Sequence, residues 1–146
     1  MNLKTIAFTT GQPGDCYYHE WSVQAPQQPR AWVHIMHGMA EHSARYADLA
    51  TYLNQQGFHV TADDHRGHGK TAEANNNLYH FADSDGWNQM VDDQLQLIEH
   101  IGGDHPLPLI ILGHSMGSFL AMHTCQRYAD KLSSGLKGLV LSGSNY

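Results

Sequence analysis

The segment that most constrains the fold covers residues 109–118 and reads Leu-Ile-Ile-Leu-Gly-His-Ser-Met-Gly-Ser. Its apolar run is too short for a helix and ends at a glycine, which indicates a buried strand. A helix-compatible segment follows at once, so the pattern predicts a strand, a sharp turn and a helix. Ser115 lies in that turn, at a helix N-terminus whose free N–H groups stabilise developing negative charge.

The spacing Gly-x-Ser-x-Gly across residues 113–117 is typical of a nucleophile elbow, in which a strained turn lifts a serine hydroxyl above the edge of a sheet. Gly113 and Gly117 have a steric role in such a turn, because a side chain at either position would collide with the neighbouring strand or helix. Glycine-rich turns of other α/β proteins also match these five residues. The interpretation therefore depends on the rest of the chain.

Strand and helix patterns alternate along the sequence. The predicted strands are 3–9, 16–23, 31–36, 58–63, 109–112 and 137–143. Helical patterns at 43–57, 84–101 and 118–130 separate the later strands, which predicts parallel βαβ units. The first two strands flank a turn-forming segment at 11–15, which predicts an antiparallel hairpin. The predicted fold class is α/β, a mostly parallel doubly wound sheet with an antiparallel leading hairpin.

Capping residues give the expected ends of the helices. Ser43 is the candidate N-cap of the first helix, and Gly57 is its stop. Either Asp83 or Ser84 would cap the second helix, and the glycine pair at 102–103 would close it. The segment 71–81 has no clean helical period, so we expect a surface excursion there.

Composition excludes several classes of protein. The chain has 146 residues, enough for one core, and we treat 1–146 as a single partial domain. Its net charge is −6 and its eight Lys and Arg are scattered, so we expect no nucleic-acid partner. Two distant cysteines and the absence of a signal-like or membrane-spanning apolar segment predict a cytoplasmic protein, peripheral to a membrane at most.

The chain holds twelve histidines, which raises the question of a metal site. Metal-binding motifs keep their ligands at fixed short spacings, as in His-Glu-x-x-His on one helical face. No such motif is present, and the pairs 34/37 and 65/68 fall in strand and glycine-turn contexts. We therefore predict neither a metal nor a cofactor.

A second feature of a nucleophile elbow is an oxyanion hole. One donor is the N–H of the residue after the nucleophile, here Met116, and the other comes from the loop after the third strand. That loop begins at residue 37 with His-Gly-Met, and Gly38 allows a close backbone approach. Met39 N–H is the predicted second donor. The alternative interpretation is that His-Gly at 37–38 only marks the point where the chain leaves the strand.

Three spaced motifs, at residues 37–46, 64–71 and 113–117, resemble the monoglyceride lipase and lysophospholipase branch of the α/β-hydrolases. The resemblance covers nearly the whole chain. It implies a serine carboxylic-ester hydrolase that forms an acyl-Ser115 intermediate, with Met39 and Met116 as oxyanion donors. The implied partner is a lipid-like ester such as a monoacylglycerol or a lysophospholipid, with transient membrane contact through a lid; the oligomeric state stays open.

The remaining motif residues have structural roles in this interpretation. The polar residues of 41–46 brace the loop beside the oxyanion hole, and those of 65–68 hold the following glycine turn. His114 is adjacent to the nucleophile, but neighbours on a sharp turn point apart. We therefore expect it to be structural rather than a general base, which must lie within hydrogen-bond reach of the nucleophile.

The expected Ser, acid, His order of the triad is incomplete. After Ser115 the sequence offers only His123 and Asp130, and His123 lies about 12 Å further along the same helix. The last strand would also lie without a covering helix. We therefore expect the N-terminal part of a longer hydrolase or a shortened product, without lid and last strands, and nearly inactive. The alternatives are a non-catalytic α/β module, or another reaction on the same fold such as aminopeptidase or C–C bond hydrolysis.

Overall fold

The alternating patterns form one six-stranded sheet, which a computed structural model describes over residues 2–7, 14–104 and 106–145. The strands are β1 (Asn2–Ala7), β2 (Asp15–Trp21), β3 (Ala31–Met36), β4 (Phe58–Asp63), β5 (Leu109–His114) and β6 (Leu136–Ser142). Their order across the sheet is β1-β2-β4-β3-β5-β6.

The pairing directions confirm the predicted fold class. β2 is antiparallel to both β1 and β4, whereas β4, β3, β5 and β6 run parallel. The leading hairpin is therefore present, although most of its predicted turn lies outside the described residues. Since parallel strands end at the same edge of a sheet, the last residues of β3, β4, β5 and β6 all meet there.

The helices are α1 (Ala47–Gln55), α2 (Gly69–Asn75), α3 (Gly86–Asp104), α4 (Met116–Arg127) and the short α5 (Ala129–Leu132), and a 3-10 turn, Ser43–Tyr46, precedes α1. Within the described residues, no helix is both long enough and apolar enough to cross a bilayer.

Several predicted helix ends are wrong. Ser43 is not an N-cap; it lies inside the 3-10 turn, and its hydroxyl donates to the carboxylate of Asp64. Helix α3 begins at Gly86, so neither predicted capping residue directly precedes it, and it continues through the glycine pair at 102–103. Glycine weakens a helix without breaking it, and packing along α3 outweighs that cost here.

The segment at 71–81 is also not a plain surface excursion, because its start belongs to α2. Thr71 and Ala72 are buried against the sheet, and the Thr71 hydroxyl accepts the backbone N–H of Tyr17 in β2. The residue after the helix, Asn76, has a left-handed φ of 50°. A helix of seven residues with only two of them buried is too short to give a clear helical period, which explains why the sequence pattern missed it.

Side chains of β3 alternate between the two faces of the sheet and define two cores. Trp32 and Met36 face α3 and α4, whereas Val33 and Ile35 face α1. The α3 and α4 side is the larger core. Helix α3 contributes a stripe of buried side chains at 91, 95 and 98 to it.

Strand β6 forms an edge of the described sheet. Its side chains Leu139, Val140 and Leu141 are 39%, 47% and 39% exposed, although they lie on alternating faces. The helices of the described residues therefore cover neither face of this strand fully, as the sequence predicts.

Candidate active site

Ser115 occupies the predicted sharp turn between β5 and α4. Its φ and ψ are 51° and −120°, outside the regions that ordinary L-residues favour, and helix α4 begins at the next residue. Such a backbone costs about 1–3 kcal/mol and persists only where the surroundings fix it. Ser115 N–H donates to the carbonyl of Ser142 at 2.9 Å, while its carbonyl accepts from the N–H of Ser118 at 2.9 Å and from the Ser118 hydroxyl at 2.6 Å.

The two glycines of the motif allow this turn to pack. A Cβ atom at Gly113 would overlap the backbone of Gly117, and one at Gly117 would overlap the carbonyl oxygen of Met36. Helix α4 therefore lies directly on the end of β3. This is the steric reason that the sequence pattern predicts.

The loop after β3 lies beside Ser115. A Cβ atom built on Gly38 would be 3.1 Å from the Cβ of Ser115 and 3.4 Å from the carbonyl oxygen of His114. The absence of a side chain at Gly38 thus lets the loop backbone approach the serine. The next residue, Met39, has an exposed side chain.

The N–H groups of Met39 and Met116 both lie next to this approach. No hydrogen bond within the described residues uses either N–H, and the N–H of Met116 is the first of helix α4. A first-turn N–H has no acceptor within its own helix. Both groups are therefore available to an external acceptor at the place where the two backbones meet.

The peptide bond between Gly38 and Met39 is held from the side of its carbonyl. His37 Nδ1 lies 2.7 Å from the Gly38 oxygen, and His37 Nε2 accepts the backbone N–H of His65 at 3.1 Å. Nδ1 of His37 therefore carries the proton, because a neutral imidazole has one donor and one acceptor. Burial and the neighbouring His65 lower the pKa of His37 well below its usual value, which keeps this neutral form.

A buried histidine and carboxylate cluster supports the loop from behind. The rings of His37 and His65 stack at 3.8 Å, and His65 Nδ1 lies 2.7 Å from the carboxylate of Asp63. Burial opposes charge on both groups of that pair, but their mutual attraction is stronger, so the pKa of Asp63 is lowered and that of His65 is raised. Gln94 of α3 donates to the same Asp63 carboxylate at 3.0 Å.

A second carboxylate, that of Asp64, joins two of the sequence motifs. It accepts the N–H of Ser43 at 2.7 Å and the N–H of Lys70 at 2.7 Å. Arg66 is buried and pairs with Asp93 of α3. These contacts agree with the structural roles expected for the polar glycine loop.

None of the histidines in the described ranges hydrogen-bonds to Ser115. His114 Nδ1 faces the hydroxyl of Ser142 at 3.2 Å, and His123 accepts the indole N–H of Trp87 at 2.8 Å. Asp130 lies exposed in α5. The described residues thus supply a presented serine and two free backbone donors, without a base in contact with the serine.

A cavity of about 540 Å³ lies elsewhere. It is lined by Trp32, Leu109 and Leu136, which lie at the starts of β3, β5 and β6. Ser115 lies at the opposite ends of the same strands. This cavity is therefore not part of the site around the serine.

The sequence predicts one of two supports of this site and misses the other. The Ser142 carbonyl fixes the Ser115 N–H; register between β5 and β6 sets this contact, and no local pattern encodes it. The Glu41 carboxylate accepts the Gly38 N–H, which agrees with the bracing role predicted for the polar residues of 41–46.

This combination of a parallel sheet, a serine in a strained strand-to-helix turn and a glycine loop beside it defines an α/β-hydrolase. The family model described as serine aminopeptidase, S33, matches residues 27–146. The chain belongs to that family.

Named relatives agree with this assignment. A monoacylglycerol lipase of Mycolicibacterium smegmatis is 36% identical over 127 residues, which cover 86% of this chain and 41% of that protein. The human monoglyceride lipase is 37% identical over 97 residues, covering 66% of this chain and 30% of that protein. The crystal structure of a thermostable carboxyl esterase from Bacillus coagulans matches with a TM-score of 0.83 and 33% identity, over 99% of this chain and 45% of the esterase. The chain thus spans less than half the length of these proteins.

Proposed function

We propose that this chain carries the nucleophile and oxyanion hole of a serine ester hydrolase that acts on monoacylglycerols, lysophospholipids or similar single-chain esters. The observation that carries the proposal is the strained Ser115 turn, which lies so close to the Gly38 loop that a Cβ atom built on Gly38 would be 3.1 Å from the Cβ of Ser115. Ser115 is the proposed nucleophile. Met39 and Met116 are the proposed N–H donors.

In this mechanism the Ser115 hydroxyl attacks the ester carbonyl, and the alcohol leaves to give an acyl-Ser115 intermediate that water then hydrolyses. The carbonyl oxygen becomes negatively charged in each tetrahedral intermediate. The N–H groups of Met39 and Met116 would bind that oxygen, and one such donor contributes roughly 3–4 kcal/mol to transition-state stability. The N-terminus of α4 adds its positive end to the same place.

The substrate class rests on the relatives and on the surface near the serine. Two relatives are named as lipases of monoacylglycerols, and the structural match is an esterase in complex with glycerol. Apolar side chains lie exposed on both proposed donor segments, Met39 on the loop and Phe119 on the first turn of α4. An acyl chain would find apolar contacts there.

The family description names an aminopeptidase, which makes amide hydrolysis the second candidate. An aminopeptidase must bind the substrate's free ammonium group, for which a carboxylate is the usual partner. The carboxylate of the loop, Glu41, is already engaged by Gly38 and Tyr46. We therefore place ester hydrolysis first, and amino-acid anilides belong in the same assay as esters.

We further propose that the 146-residue chain alone is nearly inactive in turnover. None of its described histidines hydrogen-bonds to Ser115, and the two nearest to it in sequence, His114 and His123, bond to Ser142 and Trp87. Lack of a triad member costs roughly 10⁴ to 10⁶ in rate. About 10³ over water would persist from the oxyanion hole and binding.

Two measurements on one preparation test the proposal. A fluorophosphonate should modify Ser115 slowly and covalently, as located by mass spectrometry, and Ser115→Ala should abolish the modification. Ser133→Ala, which changes an exposed serine, is the matched control and should label like the parent. A parent chain that stays unlabelled would favour the non-catalytic module. Turnover of a p-nitrophenyl ester at lipase-like rates that vanish in Ser115→Ala would contradict the inactivity and place a base within this chain.

A further inference from the structure

The carboxylate of Glu41 is the group near Ser115 that the mechanism above leaves unused. Its side chain is only 9% exposed, yet it carries a charge close to the proposed oxyanion hole. It accepts the backbone N–H of Gly38 at 2.5 Å and the hydroxyl of Tyr46 at 2.6 Å. The exposed Arg45 guanidinium lies 3.4 Å away.

Ionisation of Glu41 is favoured by these donors. Burial by itself would raise the pKa of Glu41, but the hydrogen bonds from Tyr46 and Gly38 outweigh it, so the pKa lies below its usual value. His114 of β5 and Arg45 add smaller attractions. The carboxylate is therefore charged at neutral pH, and a charged acceptor makes a stronger hydrogen bond than a neutral one.

Gly38 needs such an anchor because it has no side chain to limit its rotation. Its N–H belongs to the peptide before it, and its carbonyl shares a planar peptide with the N–H of Met39. His37 holds that carbonyl at 2.7 Å. Since carbonyl and N–H point in opposite directions across one peptide, fixing both sides of Gly38 fixes the direction of the Met39 N–H.

We propose that Glu41 is a positioning residue for the oxyanion hole: its contacts with Gly38 and Tyr46 hold the loop so that the Met39 N–H faces Ser115. The proposal rests on the function proposed above. It assigns Glu41 no contact with substrate. Loss of the carboxylate would let the Gly38 peptides rotate, and the Met39 donor would no longer be preorganised.

The test uses two variants and one control in this chain. Glu41→Gln keeps an acceptor oxygen but removes the charge, and Glu41→Ala removes both. The control is Glu73→Gln, which makes the same chemical change at an exposed residue that contacts Lys70. The two readouts are the rate of fluorophosphonate labelling at Ser115 and the amide signals of Gly38 and Met39 in nitrogen-15 NMR spectra.

We expect Glu41→Gln to slow labelling about tenfold, since a charge-assisted hydrogen bond exceeds a neutral one by about that factor in equilibrium constant. Glu41→Ala should slow it further, and Glu73→Gln should label at the parent rate. In the parent, the Gly38 amide signal should shift as the pH falls below the usual carboxyl range, and this titration should vanish in Glu41→Gln. A merely structural role would not tie the Gly38 signal to a carboxyl titration.

The outcomes separate this proposal from the proposed function. The positioning role is overturned if both Glu41 variants label at the parent rate. It is also overturned if the Gly38 amide signal and its pH titration are the same in Glu41→Gln as in the parent. If Ser115 stays unlabelled in the parent, the proposed function fails, and the positioning role of Glu41 is then judged from the NMR spectra alone. A shift of the Met39 amide signal in Glu41→Gln supports that role, and an unchanged signal overturns it. If Glu41→Ala fails to fold, Glu41→Gln and Tyr46→Phe give the same comparison.

Discussion

Gly117 lies so close to Met36 that a Cβ atom on the glycine would overlap the methionine's carbonyl oxygen. This contact joins the first turn of α4 to the end of β3. The elbow and the end of β3 therefore meet backbone to backbone, with no room for a side chain between them.

Gly117→Ala should destabilise the chain, because overpacking against a backbone atom costs about 1–3 kcal/mol. The matched control is Gly103→Ala in α3, where an added Cβ meets nothing within 4 Å. There the change should raise the free energy of unfolding by up to about 1 kcal/mol, since alanine is the better helix former. Urea unfolding measures both. If both variants changed the free energy of unfolding by the same amount and in the same direction, the steric explanation would be contradicted.

Asp64→Ala should cost roughly 3 kcal/mol, because it leaves the buried N–H and hydroxyl of Ser43 and the partly buried N–H of Lys70 without their acceptor. Asp64→Asn should cost less, since one acceptor oxygen stays. Asp83→Asn is the control at an exposed carboxylate paired with His80, and it should change stability by less than about 0.5 kcal/mol. Thermal unfolding of the three variants ranks them, and an Asp64→Ala chain as stable as the control would refute the bridging role.

Stability should fall as the pH is lowered from about 6.5 towards 5. Burial lowers the pKa of four described histidines, at positions 19, 34, 37 and 68, whereas the Asp63 carboxylate raises that of His65 despite its burial. Over this range the unfolded chain binds protons at the four sites that the folded chain does not, so unfolding is favoured. His65 acts in the opposite direction, since its contribution is present at low pH and is lost as the pH rises through its folded pKa.

The urea midpoint measured between pH 8 and pH 5 checks this prediction. His37→Gln should flatten the loss of stability with falling pH, because it removes one of the titrating groups. His80→Gln makes the same substitution at an exposed histidine and serves as the control. A midpoint that stays constant, or rises as the pH falls, would contradict the prediction.

Val140→Lys should reduce association of the chain at high concentration. β6 is an edge of the described sheet with exposed apolar side chains, and such edges pair with other chains. Tyr52→Lys removes a comparably exposed apolar side chain from helix α1, which has no open strand edge. Light scattering should fall for the strand variant and stay near the parent value for the helix variant. An equal fall for both would show that general hydrophobicity is the cause.

Much of this fold follows from periodicity, because buried parallel strands and the α3 stripe leave clear patterns. The elbow was predictable for a different reason: Gly113 is required by its contacts with Gly117 and Ser118, and the spacing of the motif also marks Gly117, whose contacts lie at the distant Met36 and His37. The short helix α2 was not predictable, since about two turns with two buried residues give no clear period. The Ser142 support was not either, because it depends on how β6 aligns with β5.

The Ser142 carbonyl has a consequence for the order of events during synthesis. It accepts the N–H of Ser115, so one of the bonds that hold the strained serine comes from a strand that the ribosome releases later. A nascent chain that has made the elbow sequence but not yet β6 lacks this bond. The turn that presents Ser115, the proposed nucleophile, is therefore fully held only after β6 has been synthesised and has joined the sheet, which ties the final geometry of this residue to the progress of translation.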